Sequence, residues 1–179
     1  LDSAVKNQNR YRSVNVVVID TASPWPIDSA TLPGVDEVIR FDSHHSFSAC
    51  VNEVAQRHSE SDVLLLNNDC FVHPLAIQRM AECLANSTVG IVGARLVFPD
   101  GRLQHGGVAE YPTGPGHVST IHHVAGEGSV THPVAVTGAL MLIRRETFSD
   151  LEGFDESYDF GHEDIDFCNR ARAQGWAIA

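Results

Sequence analysis

The sequence predicts an α/β fold in which helices cover both faces of a mostly parallel central sheet. Two observations support this prediction. Apolar runs rich in Val, Ile and Leu, typical of strands buried on both faces, occur at residues 14–19 and 63–66. Segments with helical periodicity separate such runs, and strands that alternate with helices build layered α/β domains. The chain of 179 residues is long enough for one such domain with its own core.

The first part of the chain is predicted to contain three strands and one helix. Strands are expected at residues 14–19, 38–41 and 63–66, each a short run of apolar and mostly β-branched residues. Residues 47–58 are expected to form an amphipathic helix, because apolar side chains recur three, four and seven positions after Phe47.

The second part continues the alternation. A helix is expected at residues 74–84, whose proline lies in the first turn, where its missing N–H has no helical partner to lose. Apolar residues predict a strand at 90–98 and a further extended segment at 134–143. The last helix is expected at residues 163–174, and Gly175 is placed to end it.

Residues 106–133 differ from the rest of the chain. They are rich in Gly, His, Pro and Thr and show no sustained periodicity. We expect either an active-site loop or a mobile insertion there.

Charge and cysteine content exclude several classes of protein. The net charge of −11 disfavours nucleic-acid binding and a polybasic membrane anchor, since both depend on clustered cations. No apolar run approaches the roughly 20 residues that span a bilayer. The four cysteines form no CxxC pair, which argues against a thiolate zinc site and favours the free thiols of a reduced, cytoplasmic protein.

Acidic and amide side chains follow two of the predicted strands. Asp20 ends the first strand, and Asn67, Asn68 and Asp69 follow the third. In open α/β sheets, ligands bind beyond the carboxyl ends of the strands, so these residues are candidates for a binding site. Hard oxygen ligands of this kind suit Mg²⁺ or Mn²⁺. A second cluster of carboxylates occupies residues 155–166 around the start of the last helix, and such clustering needs a compensating role.

Six segments, in order along the chain, resemble the motifs of family 2 glycosyltransferases with the GT-A fold, particularly bacterial rhamnosyltransferase-like members. The GT-A fold is a Rossmann-like α/β/α sandwich with a mostly parallel central sheet. The similar segments are residues 16–23 (VVDNGS-like), 47–52 (GFAxAxN-like), 64–69 (LLLNND, a variant of the DxD motif), 100–107 (DGxIQHAG-like), 136–145 (VTGAxMLIRR) and 153–170 (GFDE followed by EDxDLCxR).

The resemblance implies one GT-A domain over residues 1–179 that lacks two parts of the family pattern. The family's first strand, which ends in a PxYN-like sequence, has no counterpart, and the chain stops before a late histidine that often binds the metal. The loop after Asp20 also lacks the family's usual Asn and Gly. We therefore expect a fragment, or a chain with a further segment upstream.

The resemblance also implies transfer of a sugar from a nucleoside diphosphate donor to an acceptor hydroxyl, with inversion at the anomeric carbon. The acceptor would be a carbohydrate, a lipid-linked sugar or a protein, and the enzyme a metal-dependent, hexosyltransferase-type protein of the cytoplasm or of the inner face of the membrane. The implied sites are Asp164 as the base with Glu163 beside it, Asp69 for Mg²⁺ or Mn²⁺, the donor residues Asp20, Asn52, Asn67, Asn68, Gly138 and Ala139, and an acceptor region at His105, Asp155 and Glu156.

Two other hypotheses stay open. A non-catalytic or truncated GT-A module that serves binding or scaffolding would account for the missing strand and the altered loop after Asp20. A nucleotidyltransferase is a weaker alternative, because it would be expected to carry a glycine-rich phosphate loop after its first strand, and the sequence has none.

Overall fold

The structure is a computed structural model and describes residues 14–112, 119–123 and 133–179. Its four helices of more than one turn are α1 (Phe47–Arg57), α2 (Ala76–Leu84), α3 (Arg145–Asp150) and α4 (Glu163–Ala173). Its strands are β1 (Val17–Thr21), β2 (Glu37–Phe41), β3 (Val63–Leu66), β4 (Val89–Gly93), β5 (Leu96–Val97), β6 (Leu103–His105), β7 (Val108–Pro112), β8 (Ser119–His123), β9 (Leu140–Ile143) and β10 (Ala177–Ile178).

The largest sheet among the described residues has four strands in the order β10-β4-β9-β3. Three of these strands run in the same direction, and β9 is antiparallel to both of its neighbours. Every residue of β9 is buried, as expected for a central strand covered on both faces. The predicted α/β fold of GT-A type is therefore confirmed, with one antiparallel strand in the middle of the sheet.

Strands β1 and β2 form a separate parallel pair. The register pairs Val17 with Glu37 and Asp20 with Arg40. The predicted first strand starts too early: β1 begins at Val17 and continues through Asp20 to Thr21, so Asp20 lies within the strand rather than after it.

The strand predicted at residues 90–98 is two strands. β4 joins the large sheet, whereas β5 leaves it and pairs antiparallel with β6 in a hairpin. The backbone N–H of Ala94 donates to the carbonyl of Leu140, and the chain then turns out of the sheet. An apolar run does not reveal such a change of partner, because both strands have similar composition.

The segment predicted as a loop or mobile insertion contains a second hairpin. β7 and β8 pair antiparallel over five residues each, and Val108 also bridges to Ala135. The rest of that segment, residues 113–118 and 124–132, lies outside the described residues. The extended segment predicted at 134–143 is a strand only from Leu140 to Ile143.

Aromatic side chains fix α4 against the centre of the domain. The rings of Phe154 and Phe167 stack with their centroids 4.4 Å apart, and Phe148 packs edge-on or tilted against both. All three side chains are buried. Beside them, burial raises the pKa of the Cys168 thiol to about 12, as expected for a thiol that only fills space.

The four cysteines are free thiols, as predicted, and Cys50 and Cys168 are buried. Within the described ranges, none of the helices has the length and apolar character needed to cross a bilayer.

Candidate active site

A turn at residues 137–139, here called the 137–139 bridge, connects two distant parts of the chain. On one side, the carbonyl of Ala139 accepts the backbone N–H of Asn67 at 2.9 Å, directly after β3. On the other side, the N–H of Gly138 donates to Oδ2 of Asp164 at 3.0 Å. The bridge thus brings the end of β3 and the start of α4 together, although almost 100 residues separate Asn67 from Asp164 in sequence.

The bridge is packed against Phe47 and Asp164. Gly138 is buried, and a Cβ atom there would lie 3.6 Å from the Phe47 ring and 3.8 Å from Cβ of Asp164. These are ordinary contact distances, so the bridge packs closely on both neighbours. The hydroxyl of Thr137 accepts the N–H of Ala139 at 3.3 Å and closes the turn.

The end of β3 presents oxygen atoms to solvent. Asn67, Asn68 and Asp69 are all exposed, and the N–H of Cys70 donates to the carbonyl of Asn67 at 3.2 Å, which makes a tight turn. Only one of the three side chains is charged. Mg²⁺ commonly binds through one or two carboxylates together with substrate phosphates, and this set of ligands fits that mode. No cluster of three or more potential ligands from His, Cys, Asp and Glu occurs in the described part of the chain.

The start of α4 carries three carboxylates in its first turn, Glu163, Asp164 and Asp166. The helix dipole stabilises negative charge at this end. Oδ1 of Asp164 accepts the N–H of Ile165 at 2.8 Å, so each of its oxygens has a backbone partner. By contrast, Oε2 of Glu163 is buried and has no hydrogen-bond partner in the described structure.

The backbone before α4 is unusual. Gly161 and His162 both have positive φ angles, 78° and 72°. Only glycine adopts this conformation without steric cost, so His162 is strained by about 1 kcal/mol or more. The carbonyl of His162 nevertheless accepts the N–H of Asp166 at 2.8 Å and begins the helix. The two left-handed residues turn the chain sharply and set the direction in which Glu163 and Asp164 enter the site.

Asp20, predicted to bind the donor, has a fully buried side chain. It accepts the N–H of Ser23 at 2.9 Å and that of Ile27 at 3.3 Å, and it pairs with the guanidinium of Arg40. Hydrogen bonding by Ser23, supported by Arg40 and Ile27, outweighs burial and holds the pKa of Asp20 far below its usual range. The carboxylate therefore shapes the loop after β1, and any contact with a donor would be made by the loop that it holds.

Asn52, the second predicted donor residue, connects α1 to the loop before α4. Its amide accepts the N–H of Phe154 at 2.8 Å and donates to the carbonyl of Phe154 and to Glu156. A Cβ atom on Gly153, whose φ is +80°, would lie 2.3 Å from the Asn52 oxygen. Gly153 thus satisfies a positive φ beside the Asn52 oxygen, and Phe154 and Glu156 hydrogen-bond to the Asn52 side chain.

The predicted acceptor residues occupy different environments. Asp155 and Glu156 are exposed, and the N–H of Ser157 lowers the pKa of Asp155 by donating to it at 2.8 Å. His105 lies on β6 and is only 6% exposed, so its side chain faces the interior of the protein. Within the described ranges, no hydrogen bond links Asp155 or Glu156 to Asp164. His105 is on a different element, so the three residues do not form one cluster with Asp164.

Two arginines, one on α4 and one directly after β9, have structural partners. Arg170 bonds Asp166 at 2.7 Å and the carbonyls of Leu151 and Gly153, which gives it a structural role. Arg144 donates to the carbonyls of Leu84, Asn86 and Val89 and so joins the end of α2 to β4. No sequence pattern indicated the role of Arg144, because its partners are backbone atoms.

Two aromatic side chains beside the site were missed by sequence reasoning. Phe71 is 97% exposed and follows Asp69 by two residues, and Phe160 is 99% exposed and precedes Asp164 by four. Both lie in segments that periodicity leaves unassigned, so nothing in the pattern distinguished them from buried aromatic residues. Their exposure gives an apolar border to the loops that flank the two acidic groups.

Fold and site together define an α/β domain in which a short turn before β9 joins the end of β3 to the acidic start of α4. Comparison with known proteins agrees. The sequence profile described as "Glycosyltransferase like family 2" matches residues 2–179. The chain belongs to the family 2 glycosyltransferases.

Two curated relatives extend this comparison. The chain is 32% identical over 187 residues to "O-antigen biosynthesis protein RfbC" of Myxococcus xanthus, a match that covers 96% of this chain and 14% of that protein. It is 28% identical over 200 residues to "Uncharacterized protein y4gI" of Sinorhizobium fredii (strain NBRC 101917 / NGR234), which covers 97% of this chain and 21% of the relative. The chain therefore spans about a fifth or less of the length of these two relatives.

Proposed function

We propose that this domain transfers a sugar from a nucleoside diphosphate donor to an acceptor hydroxyl, with inversion at the anomeric carbon, during polysaccharide or glycoconjugate synthesis. The observation that carries the proposal is the 137–139 bridge. It is hydrogen-bonded on one side to Asn67, two residues before Asp69, and on the other side to Asp164. Asp69 and Asp164 are the two groups to which we assign the chemistry. A hexose is the class of sugar that we propose for transfer.

The first requirement of the reaction is to stabilise the diphosphate as it leaves. We assign Asp69, with the amide oxygens of Asn67 and Asn68, to hold Mg²⁺ or Mn²⁺ together with the donor phosphates. A cation bound there would neutralise the charge that develops on the leaving oxygen. Because one carboxylate alone binds Mg²⁺ weakly, we expect the metal and the donor to bind together.

The second requirement is to take the proton of the attacking hydroxyl. We assign this role to Asp164, whose carboxylate lies at the start of α4 and beside the 137–139 bridge. Glu163 is assigned to the acceptor, because its buried oxygen has no partner within the described structure and is suited to accept a hydrogen bond from a hydroxyl.

The remaining predicted residues act at a distance from the reacting atoms in this proposal. Gly138 and Ala139 supply a backbone that the donor can approach closely. Asp20 and Asn52 fix the loops around the donor, as their hydrogen bonds indicate. We expect Asp155, Glu156 and His105 to shape the acceptor side.

We propose the class of acceptor from the name of one relative. One relative is named for O-antigen biosynthesis, which supports a carbohydrate or lipid-linked acceptor over a protein. We also propose a cytoplasmic location, in solution or at the inner face of the membrane. Separation of cytosol from membranes, followed by immunodetection of the whole protein, tests that location.

Calorimetric titration with UDP-, GDP- and dTDP-sugars, each with and without Mn²⁺, tests the donor site. We expect one class of nucleotide to bind saturably and to need the metal. Asp69→Ala is expected to weaken that binding by about 100-fold, and Asp150→Ala, which removes an exposed carboxylate at the end of α3, is the matched control. Failure of every donor to bind would favour the non-catalytic module.

Transfer itself is tested with the same donor and a panel of acceptor sugars. Asp164→Asn is expected to lower the transfer rate by about 100-fold or more, since it removes the base while keeping the shape of the side chain. Unchanged turnover in this variant would remove Asp164 from the role of base.

A further inference from the structure

Asp164 has a second structural partner that the assignment of a base does not explain. Its Oδ2 accepts the N–H of Gly138 at 3.0 Å, and the next residue of the 137–139 bridge accepts the N–H of Asn67 through the carbonyl of Ala139 at 2.9 Å. The Gly138 N–H and the Ala139 carbonyl belong to peptide groups that are separated by one further peptide group of the same turn. A shift of Gly138 is therefore expected to move the acceptor of the Asn67 N–H.

The bridge has additional anchors on both sides. The thiol of Cys70 donates weakly to the same carbonyl of Ala139 at 3.6 Å, and that of Cys168 on α4 approaches the carbonyl of Val136 at 4.0 Å. The ring of Phe47 lies beneath Gly138. Among the described residues, however, the only side chain bonded to the Gly138 N–H is that of Asp164.

We propose that Asp164 is also a positioning residue for the donor side of the site. Its carboxylate holds the 137–139 bridge, and the bridge holds the Asn67–Asp69 turn in the conformation that binds the metal and the donor. This inference rests on the proposed function. It assigns one residue to two tasks, and the two tasks have different chemical requirements.

The difference in requirements allows the tasks to be separated by substitution. Positioning needs an oxygen that accepts the Gly138 N–H. The single amide oxygen introduced by Asp164→Asn supplies it when the amide NH2 takes the place of the oxygen beside Ile165, whose N–H then loses its side-chain acceptor. Proton transfer needs a carboxylate, which an amide cannot replace. Asp164→Asn is therefore expected to keep donor binding and lose transfer, whereas Asp164→Ala loses both.

The first experiment measures donor binding. With the donor that binds the wild-type protein and with Mn²⁺ present, we expect the dissociation constant to rise about tenfold in Asp164→Ala and to stay within about twofold in Asp164→Asn, since the hydrogen bond to Gly138 is lost only in the first. Asp166→Ala is the matched control, because it removes a carboxylate from the same helical turn whose partner is Arg170. Equal affinities in the Ala and Asn variants would overturn the inference.

The second experiment needs no donor. In the amide NMR spectrum, the Gly138 signal is identified by its loss in Gly138→Ala, a change whose new methyl group meets only ordinary contacts. We expect the amide signals of both Gly138 and Asn67 to move in Asp164→Ala and not in Asp166→Ala. An unmoved Asn67 signal contradicts the coupling, even if the Gly138 signal moves.

The two experiments distinguish failure of this inference from failure of the proposed function. Wild-type protein that binds no nucleotide sugar contradicts the function, and the NMR comparison then decides the coupling alone. If Asp164→Ala fails to fold, as judged by its circular dichroism and melting curve, Asp164→Leu replaces it, because a leucine side chain is of similar size and has no hydrogen-bond acceptor.

Discussion

Two aspartates follow the same sequence pattern and have opposite environments in the structure. Asp20 is the fourth of the five residues of β1, and Asp69 follows the last residue of β3 by three positions. Asp20 is fully buried and accepts two backbone N–H groups and the guanidinium of Arg40, whereas Asp69 is exposed and its neighbours Asn67 and Asn68 are exposed with it. We call the first the closed strand end and the second the open strand end.

The comparison shows that a position near the end of a strand does not by itself decide what an aspartate does. What decides it is whether the side chain is already satisfied by the protein. A carboxylate that has enough internal partners stabilises a loop, and a carboxylate without them remains free to bind a ligand. At the closed strand end the parallel register of β1 and β2 places Arg40 directly beside Asp20.

The largest loss of stability is expected from Asp20→Ala. This change leaves two backbone N–H groups at the closed strand end without their acceptor and removes the partner of Arg40. We expect the melting temperature to fall by on the order of 10 °C. Asp42→Ala, which removes an exposed carboxylate just after β2, is the control and should leave the melting temperature nearly unchanged. A small effect of Asp20→Ala would mean that Asp20, like Asp69, contributes little to stability.

A smaller loss is expected from Arg40→Ala. The Arg40 side chain is 33% exposed, so water can reach part of the space that it leaves, and Asp20 keeps its two backbone donors. We expect the melting temperature to fall by about 5 °C in this variant. Differential scanning calorimetry of the Asp20 and Arg40 variants and of the double variant measures the coupling between the two side chains. Additive effects would show that the ion pair contributes little.

Acid should weaken the closed strand end. The pKa of Asp20 is depressed in the folded state by Ser23, Arg40 and Ile27, so its stabilising contribution is complete above the unfolded pKa of about 4 and is lost as the pH falls from there toward the folded pKa. Urea unfolding at pH values of about 5, 4 and 3 should show this loss in the wild-type protein. In Asp20→Asn we expect a weaker dependence on pH over the same interval, and an identical dependence would contradict the assignment.

The smallest effect on stability is expected at the open strand end. Asp69→Ala removes an exposed side chain, and surface changes of this kind alter the free energy of unfolding by about 0.5 kcal/mol or less. A large loss of stability in this variant would mean that Asp69 has an internal role like that of Asp20. The same preparation serves for the donor titration, so the binding and the stability of one protein can be compared.

The local elements were predicted better than their partners. Strand β3 matches its prediction at both ends, and α1 and α4 each end one residue early, because these segments have clear periodicity and clear end signals such as Gly175. α3 was missed, since its six residues make fewer than two turns and leave no period to detect. The β7–β8 hairpin was missed because its strands lie in a segment rich in turn-forming residues.

In the site, too, the residues were predicted better than their contacts. Motif resemblance pointed to Asp69 and Asp164, but their connection runs through backbone groups of the 137–139 bridge, which any residue type can provide. The roles of Asn52 and Asp20 likewise could not be predicted without the partners that they contact in three dimensions. Side-chain identity can be read from the sequence, whereas the pairing of backbone groups emerges only from the fold.

The order of strands in the large sheet also bears on how the protein is made. β9 lies between β3 and β4, yet the ribosome synthesises it about 50 residues after β4. At a translation rate of about 5–20 residues per second, the two earlier strands wait several seconds for the strand that joins them. During that interval their facing edges are open to pairing with other chains. A nascent chain of this domain should therefore depend on protection at the exit tunnel until β9 has emerged.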